Sequence, residues 1–341
     1  MSAAATDFKV EILKALETMY NGELALNGPQ SRFKASAYKK ASRAIAALSA
    51  VHSIEDVRGL DGIGVKIMAK IEEIIQTGKL CAADRMKERT DVEAYETLLA
   101  VHGVGPVKAR ALLSSGIRTI EALRSAALAN PKLLTAAQVM GVKHYEDGLL
   151  RIPRPEMLLH EALLLRLSAA VGLSGCLVGS FRRGAADSGD IDVLLTYPPS
   201  MSLAAAQRLF HMYILALKGE IYVTDELVHG DKKWMGYVKL GSGAHVRRLD
   251  LLLTPPEEYA YSILYFTGSD KFNIAMRRHS LSLGYSLNEH GITRIAPAAP
   301  AAAAAEATAI ALTREEDIFA FLGLRYVPPT ERKDEAQIKK I

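Results

Sequence analysis

Along the first third of the chain, apolar residues recur every three to four positions with charged residues between them. From Phe8 to Tyr20, the stripe Val10, Ile12, Leu13, Leu16 and Met19 predicts a helix. A break at Asn27-Gly28-Pro29 leads into an alanine-rich basic helix, Arg32 to Leu48, carrying Lys34, Tyr38, Lys39, Lys40 and Arg43. Helical spacing resumes from about Ile120 to Leu150. It resumes again from Glu156 to Val171, beyond the prolines of Arg151-Ile152-Pro153-Arg154-Pro155, which mark a hinge between domains. The period then changes. From Asp190 the residues alternate, with Asp190, Asp192, Leu194 and Thr196 on one face and Ile191, Val193 and Leu195 on the other, as in a strand. Leu209 to Leu217, Ile221 to Val223 and Trp234 to Leu240 are apolar segments that could be strands or helices. Val246 to Thr254 alternates again, placing Asp250, Leu252 and Thr254 together. Ser269 or Asp270 then caps a helix bearing Asn273, Arg277 and Arg278. A helical lobe followed by a mixed body gives an α+β, multidomain chain.

Two short segments in the helical lobe resemble each other. Leu60-Asp61-Gly62-Ile63-Gly64-Val65-Lys66 recurs 41 residues on as Val101-His102-Gly103-Val104-Gly105-Pro106-Val107-Lys108. Each is an apolar-x-Gly-apolar-Gly turn opening onto a helix. The glycines Gly62, Gly64, Gly103 and Gly105 allow close backbone approach, and helix N–H groups there can meet a phosphate. The pattern resembles the helix-hairpin-helix motif, which grips DNA backbone without reading sequence. A pair of tight packing turns is the plainer alternative. Charge agrees with the first reading. Of a net +4, the stretch from Gln30 to Thr90 carries twelve Lys and Arg against seven Asp and Glu, so the remainder sums to −1. A basic lobe on a near-neutral body fits a polyanionic partner.

Composition narrows the rest. At 341 residues, 49% apolar and 23% charged, the chain suits two or three globular domains. Cys81 and Cys176 are the only cysteines, which argues against cysteine-ligated zinc and disulfide stapling and fits a reducing compartment. No apolar run reaches transmembrane length, so no membrane partner is expected. The first residues lack the marks of a signal or transit peptide.

The most informative stretch is Gly179-Ser180-Phe181-Arg182-Arg183-Gly184 through Gly189-Asp190-Ile191-Asp192. Alternate residues on one strand face lie roughly 6.5 Å apart along the chain, so Asp190 and Asp192 converge. Unpaired neighbouring carboxylates repel, and a divalent cation is the usual resolution. Ser180, Arg183 and the backbone around Gly179, Gly184 and Gly189 could hold an anion. Asp250, if its strand is adjacent, would complete a site of three aspartates suited to two cations and in-line displacement. A solvated Asp-Ile-Asp at a strand end is the plainer alternative. Lys66 and Lys70 lie one helical turn apart beside Ile67, Ile71 and Ile74. An activated amine is one reading there, with phosphate contact or solvation equally open.

Taken in order, these segments closely resemble the family X DNA polymerases, over nearly the whole chain. The resemblance rests on the two Gly-x-Gly turns, Gly179 to Asp192, Arg247-Arg248-Leu249-Asp250 and Tyr265-Phe266-Thr267-Gly268-Ser269-Asp270. It implies all-α helix-hairpin-helix domains, then a nucleotidyltransferase palm on a mixed sheet, then a small α/β C-terminal subdomain. The corresponding ranges are 1–88 (lyase), 89–150 (DNA-binding), 151–258 (palm) and 259–341 (nascent base pair). It further implies gap-filling, template-directed synthesis in base excision repair, on gapped or nicked double-stranded DNA with dNTPs, by a monomer working with repair proteins. The nucleus is the expected location, with the mitochondrion left open. Asp190, Asp192 and Asp250 would bind two Mg²⁺ ions, or Mn²⁺, and Arg248 would steady Asp250 beforehand. Arg151, Ser180, Arg183 and Gly189 would hold the triphosphate. Tyr265, Phe266 and Gly268 would border the sugar, with Asp270 against the nascent base and Asn273 and Arg277 on the minor-groove side. Lys70 would be a lyase nucleophile, with Lys34, Tyr38 and Lys66 around the phosphate sugar. Backbone carbonyls of Leu60, Ile63, Val101 and Val104 would hold a monovalent cation, K⁺ or Na⁺.

The chain also departs from the family pattern. Phe33 replaces a histidine, a glutamate expected near Ala25 is missing, and Ile274 replaces a lysine that packs on the templating base. Ala296 to Ala305 reads as a surface insertion, and the charged tail after Pro328-Pro329 as frayed. Two other functions share parts of these motifs. One is a template-independent nucleotidyltransferase, against which Tyr265-Phe266 argues because terminal transferases tend to have Gly-Trp there. The other is a DNA-binding scaffold without catalysis.

Overall fold

The computed structural model describes residues 6–26, 28–89, 91–295 and 312–341. The chain divides into two compact units, Met1–Tyr145 and Glu146–Ile341. The insertion expected over Ala296 to Ala305 lies outside the described residues.

The first unit is helical: α1 (Lys9–Leu26), α2 (Ser31–Ala46), α3 (Val65–Thr77), α4 (Cys81–Arg89), α5 (Val92–Leu99), α6 (Pro106–Ser114), α7 (Ile120–Ala129) and α8 (Ala136–Lys143). The apolar stripes bury as expected. Ile12, Leu16 and Met19 of α1 meet Ala41 and Ile45 of α2 and Ile67, Ile71 and Ile74 of α3 in one core. Tyr95, Leu98, Ala109, Leu112, Ile120 and Leu123 form a second core around the second Gly-x-Gly turn. The two turns have the same backbone. Gly62 and Gly103 sit at φ +89° and +80°, and Gly64 and Gly105 are the extended N-caps of α3 and α6. The Ile63 amide donates to the Leu60 carbonyl at 3.1 Å, and the Val104 amide to the Val101 carbonyl at 3.0 Å.

After the short helix α9 (Tyr145–Gly148), which begins on the last residue of the first unit, comes β1 (Ile152–Pro153). The prolines form no linker. Pro153 pairs in β1 with Asp187, and Arg154-Pro155 begins α10 (Arg154–Ala170), where a missing N–H costs nothing. The division between units falls earlier, at Tyr145. Then follow β2 (Ser174–Leu177), α11 (Gly179–Arg182), β3 (Asp187–Ser188), β4 (Ile191–Thr196), α12 (Leu203–Gly219), β5 (Val223–His229), β6 (Lys233–Val238) and β7 (Arg247–Leu253). The sheet order is β2-β4-β7-β6-β5, with β4 and β7 parallel and the other pairs antiparallel.

Ile191, Val193 and Leu195 of β4 and Leu249, Leu251 and Leu253 of β7 pack against Leu164 and Leu167 of α10 and Phe210, Ile214 and Leu217 of α12. Strand alternation therefore continues across both strands, as expected. Leu194, on the aspartate side, is also buried, because α13 (Tyr259–Thr267) covers that face through Ile263.

Beyond α13, α14 (Asp270–Ser282), the hairpin β8 (Tyr285–Asn288) and β9 (Gly291–Arg294), and α15 (Glu315–Phe321) share a core of Leu264, Phe272, Met276, Ile292, Ile318 and Phe319. The tail is not frayed, contrary to its charged composition. Arg332 is fully buried, donating to Glu315 Oε1 at 2.5 Å and to the Val327 carbonyl at 2.9 Å, beside the rings of Phe272, Phe319 and Tyr326. Arg325 and Ile341 amides bond to the carbonyls of Lys339 and Gly323, closing the chain end onto the unit. A buried ion pair on aromatic faces docks a segment that apolar patterning alone cannot reveal.

Candidate active site

The parallel pairing of β4 with β7 sets Asp192 directly opposite Asp250. Asp190 stands one residue before β4 and is the most open of the three, its side chain 41% exposed. Arg248, two residues before Asp250 on the same face, donates from Nη2 to Asp250 Oδ2 at 2.8 Å and reaches Asp190 Oδ2 at 3.5 Å. Asp192 has no such direct partner. Burial, then repulsion from Asp190 and Asp250, pushes its carboxyl up to about 7, against the pull of Arg248 and Arg183. Burial also raises Asp250, with Arg248 opposing. Asp250 Oδ1 is buried without a hydrogen-bond partner.

The glycine-rich turn fits around these carboxylates. The Val178 amide donates to the Asp192 carbonyl at 2.9 Å. Gly179 lies at φ +59°, and a Cβ there would stand 2.7 Å from Asp192 Oδ2, so the close approach requires glycine. Ser180 Oγ donates to Ser188 Oγ at 3.0 Å. Arg151 makes two bonds to Asp187 Oδ1, and its Nη1 lies 2.9 Å from where a Cβ of Gly189 would be. Ser180, Gly189 and Arg151 therefore share the β3 side of the turn. Arg183 leaves them, donating from Nη1 to the Thr267 carbonyl at 2.6 Å, next to Gly268.

Tyr265 and Phe266 meet edge to face at 5.0 Å on the last turn of α13. Asn273 Nδ2 donates to the Tyr265 carbonyl at 2.6 Å, and the Arg277 guanidinium lies over the Tyr265 ring at 4.7 Å. Ser269 caps α14, its Oγ accepting from the Phe272 amide, and Asp270 follows as the first helical residue. Ile274 is exposed. Sequence reasoning missed a second layer. Arg182 donates to Thr267 Oγ1 and Glu315, and Glu289 receives Arg277. The Arg182-Arg183 doublet was the available signal, but nothing in the sequence names a carboxylate 133 residues away.

In the first unit, Lys34 Nζ lies 3.4 Å from Glu23 Oε1, and Ser31 Oγ donates to Glu23 Oε2 at 2.8 Å. Tyr38 is half-buried, and burial followed by the Glu23 charge raises its hydroxyl. A buried carboxylate is thus present after all, supplied by Glu23 instead of a residue at Ala25. Lys70 is half-buried on α3, whose Ile67, Ile71 and Ile74 belong to the core that Tyr38 packs against. Lys66, one turn earlier, is exposed, and Phe33 is 81% exposed.

Two like Gly-x-Gly turns at helix starts, followed by a mixed sheet with opposed aspartates beside a glycine turn, give the architecture of helix-hairpin-helix motifs ahead of a nucleotidyltransferase-type palm. Family models match in the same order: a helix-hairpin-helix domain over residues 9–80, the fingers domain of DNA polymerase lambda over 96–148, the DNA polymerase beta palm over 151–256 and the DNA polymerase beta thumb over 262–333. The chain belongs to the X family of DNA polymerases. It is 32% identical to DNA polymerase lambda of Rattus norvegicus over 342 residues, covering 97% of this chain and 57% of that protein. To DNA polymerase lambda of Arabidopsis thaliana it is 30% identical over 295 residues, 83% of this chain and 54% of that one. The chain therefore spans just over half the length of these relatives.

Proposed function

We propose that this chain is a template-directed DNA polymerase that fills short gaps during base excision repair, with a 5′-deoxyribose-phosphate lyase activity in its helical unit. The observation that carries the first part is the set of three carboxylates, Asp192 and Asp250 opposed across β4 and β7 and Asp190 beside them, with Arg248 reaching both Asp250 and Asp190.

The residues present fit a pair of hard divalent cations. All three are oxygen donors, burial and like charge raise the Asp192 carboxyl, and Asp250 Oδ1 lacks a partner. No three His, Cys, Asp or Glu side chains among the described residues are already set as a ligand shell. That agrees with the Arg248 guanidinium bridging Asp190 and Asp250, which it must release before both can turn to a cation. Mg²⁺, or Mn²⁺, bound there would acidify the primer 3′-hydroxyl and neutralise charge on the triphosphate.

The chain's own groups do the rest. Ser180, Gly189 and Arg151 offer donors to the triphosphate on the β3 side, and Arg183 offers a guanidinium from the α13 side. Tyr265 and Phe266 wall the sugar. Arg277, fixed over Tyr265, and Asn273 face the base pair's minor-groove edge, and Asp270 the nascent base. In the helical unit, Lys70 Nζ would attack C1′ of the deoxyribose phosphate and expel water as the C=N bond forms; β-elimination then releases the phosphate-bearing strand. Lys34, Lys66 and Tyr38 would hold the phosphate sugar. The matching turn geometry at Leu60–Ile63 and Val101–Val104 supports a carbonyl-held K⁺ or Na⁺ in each hairpin.

The test uses a single-nucleotide gap with a 5′-deoxyribose phosphate. The expected result is Mg²⁺-dependent insertion of the template-matched nucleotide, abolished by Asp192→Ala with DNA binding kept. Borohydride should trap a covalent complex in the wild type and not in Lys70→Ala. Untemplated addition at a similar rate would instead identify a terminal transferase, and binding without incorporation a scaffold.

A further inference from the structure

At the edge of the sheet farthest from β4, the β5–β6 hairpin and α12 bring two histidines together. His211 of α12 and His229 of β5 face each other with Nδ1 of the first 3.1 Å from Nε2 of the second. Each ring has a carboxylate on its other nitrogen. Asp231, in the hairpin turn, lies 3.3 Å from His211 Nε2, and Glu226 lies 3.1 Å from His229 Nδ1. A carboxylate can only accept, so those outer nitrogens carry the protons. The two inner nitrogens, 3.1 Å apart, are then joined either by a proton carried between the rings or by an ion that both lone pairs bind.

We infer that this pair is a binding site for a divalent transition ion of the zinc class, held by His211 Nδ1 and His229 Nε2. Two imidazoles on one tetrahedral zinc, with Zn–N of about 2.0–2.1 Å, put their nitrogens about 3.3 Å apart and their ring centres about 5.2 Å apart. The observed ring centres are 5.2 Å apart. The outer carboxylates supply the second layer that orients metal-bound histidines and raises their basicity. Glu226 is itself fixed, accepting from Trp234 Nε1 at 2.7 Å and pairing with Lys218 at 3.0 Å, so the Lys218 charge is met by Glu226. The histidine side chains are 40% and 35% exposed, open to ion entry and to water at the remaining positions. Asp231 and Glu226 stand on the outer nitrogens, and no group of three His, Cys, Asp or Glu among the described residues is set to hold an ion, so solvent or a partner's ligand completes the shell. Ligand type separates this site from the aspartates. Imidazole selects zinc-like ions, whereas carboxylate and water select magnesium. The ion would tie β5 to α12, and the proposal does not depend on the polymerase reading.

The experiment is calorimetric titration of the full chain with Zn²⁺ in excess Mg²⁺, which keeps the aspartates supplied. It is run beside His211→Gln, His229→Gln and the double variant, with circular dichroism to confirm folding. We expect one equivalent of Zn²⁺ to be lost in the double variant, at least a tenfold weaker site in each single variant, and a Zn²⁺-dependent rise in Tm only in the wild type. Co²⁺ in place of Zn²⁺ should show a visible absorption band that the double variant lacks. Equal Zn²⁺ stoichiometry in wild type and double variant overturns the site. So does a wild type that takes no ion beyond those held by the aspartates, which would mean that a shared proton fills the gap.

Discussion

At the scale of single residues, the site places function against stability at Asp192. Its carboxyl is raised to about 7, so the folded chain holds a proton that the unfolded chain releases near the ordinary value of 3.8. Stability contributed by that difference is present at low pH, is lost as pH rises from about 4 to about 7, and stays lost above. Asp192→Asn removes the buried unpaired charge. In EDTA at pH 8 it should stabilise the second unit by about 1–3 kcal/mol, while abolishing incorporation. Thermal unfolding at pH 8 and pH 5 checks this, because the gain should shrink at the lower pH. An equal gain at both values would mean that Asp192 is not held under like-charge repulsion. Gly179 makes the same point through space, since the turn has no room for a Cβ beside Asp192 Oδ2.

At the scale of elements, the two hairpins were legible because their signal is local. Gly-x-Gly at a helix start specifies a left-handed residue and then an extended N-cap, and both copies fold that way. Gly62→Ala and Gly103→Ala each place a Cβ at positive φ. Each should cost about 1 kcal/mol or more and weaken DNA binding several-fold with little change in the gapped-DNA preference. Filter binding and thermal unfolding measure both effects, and unchanged affinity in the pair would remove the hairpins from the DNA interface. The alternating strands were legible for a similar reason, since period two is read directly from β4 and β7. Other features arise from pairings distant in sequence. His160 of α10 is an example: fully buried, it meets Tyr222 Oη from Nδ1 at 2.5 Å, and burial lowers its pKa to about 4. An unfolded histidine binds its proton near 6.5, so stability is full above that value and falls as pH drops toward 4. His160→Asn should flatten this loss, of about 3 kcal/mol at pH 4 from a shift of that size. Urea midpoints between pH 7 and pH 4 report it, and an unchanged slope would assign the acid sensitivity elsewhere.

At the scale of the whole molecule, composition and structure differ at the tail. Residues after Pro328 are mostly charged, which reads as solvated chain, yet Arg332 is among the largest fully buried side chains. It is accommodated because Glu315, itself buried, accepts from Arg332 on one oxygen and from Arg182 on both. The tail is thereby linked through one carboxylate to the glycine turn and, through Thr267, to the end of α13. Removing one member leaves charge buried without its full complement, which costs more than an absent pair would. Arg332→Met should therefore destabilise the second unit by about 2–4 kcal/mol and also lower nucleotide insertion, since Arg182 and Thr267 lose a fixed neighbour. Adding Glu315→Gln in the same chain should lower stability further, because Arg182 then has no counter-charge. Thermal unfolding of the single and double variants, with insertion measured well below each Tm, separates the two effects. If Arg332→Met unfolds as the wild type does, the tail is docked by its backbone contacts at Arg325 and Gly323, and the buried ion pair contributes nothing to holding it.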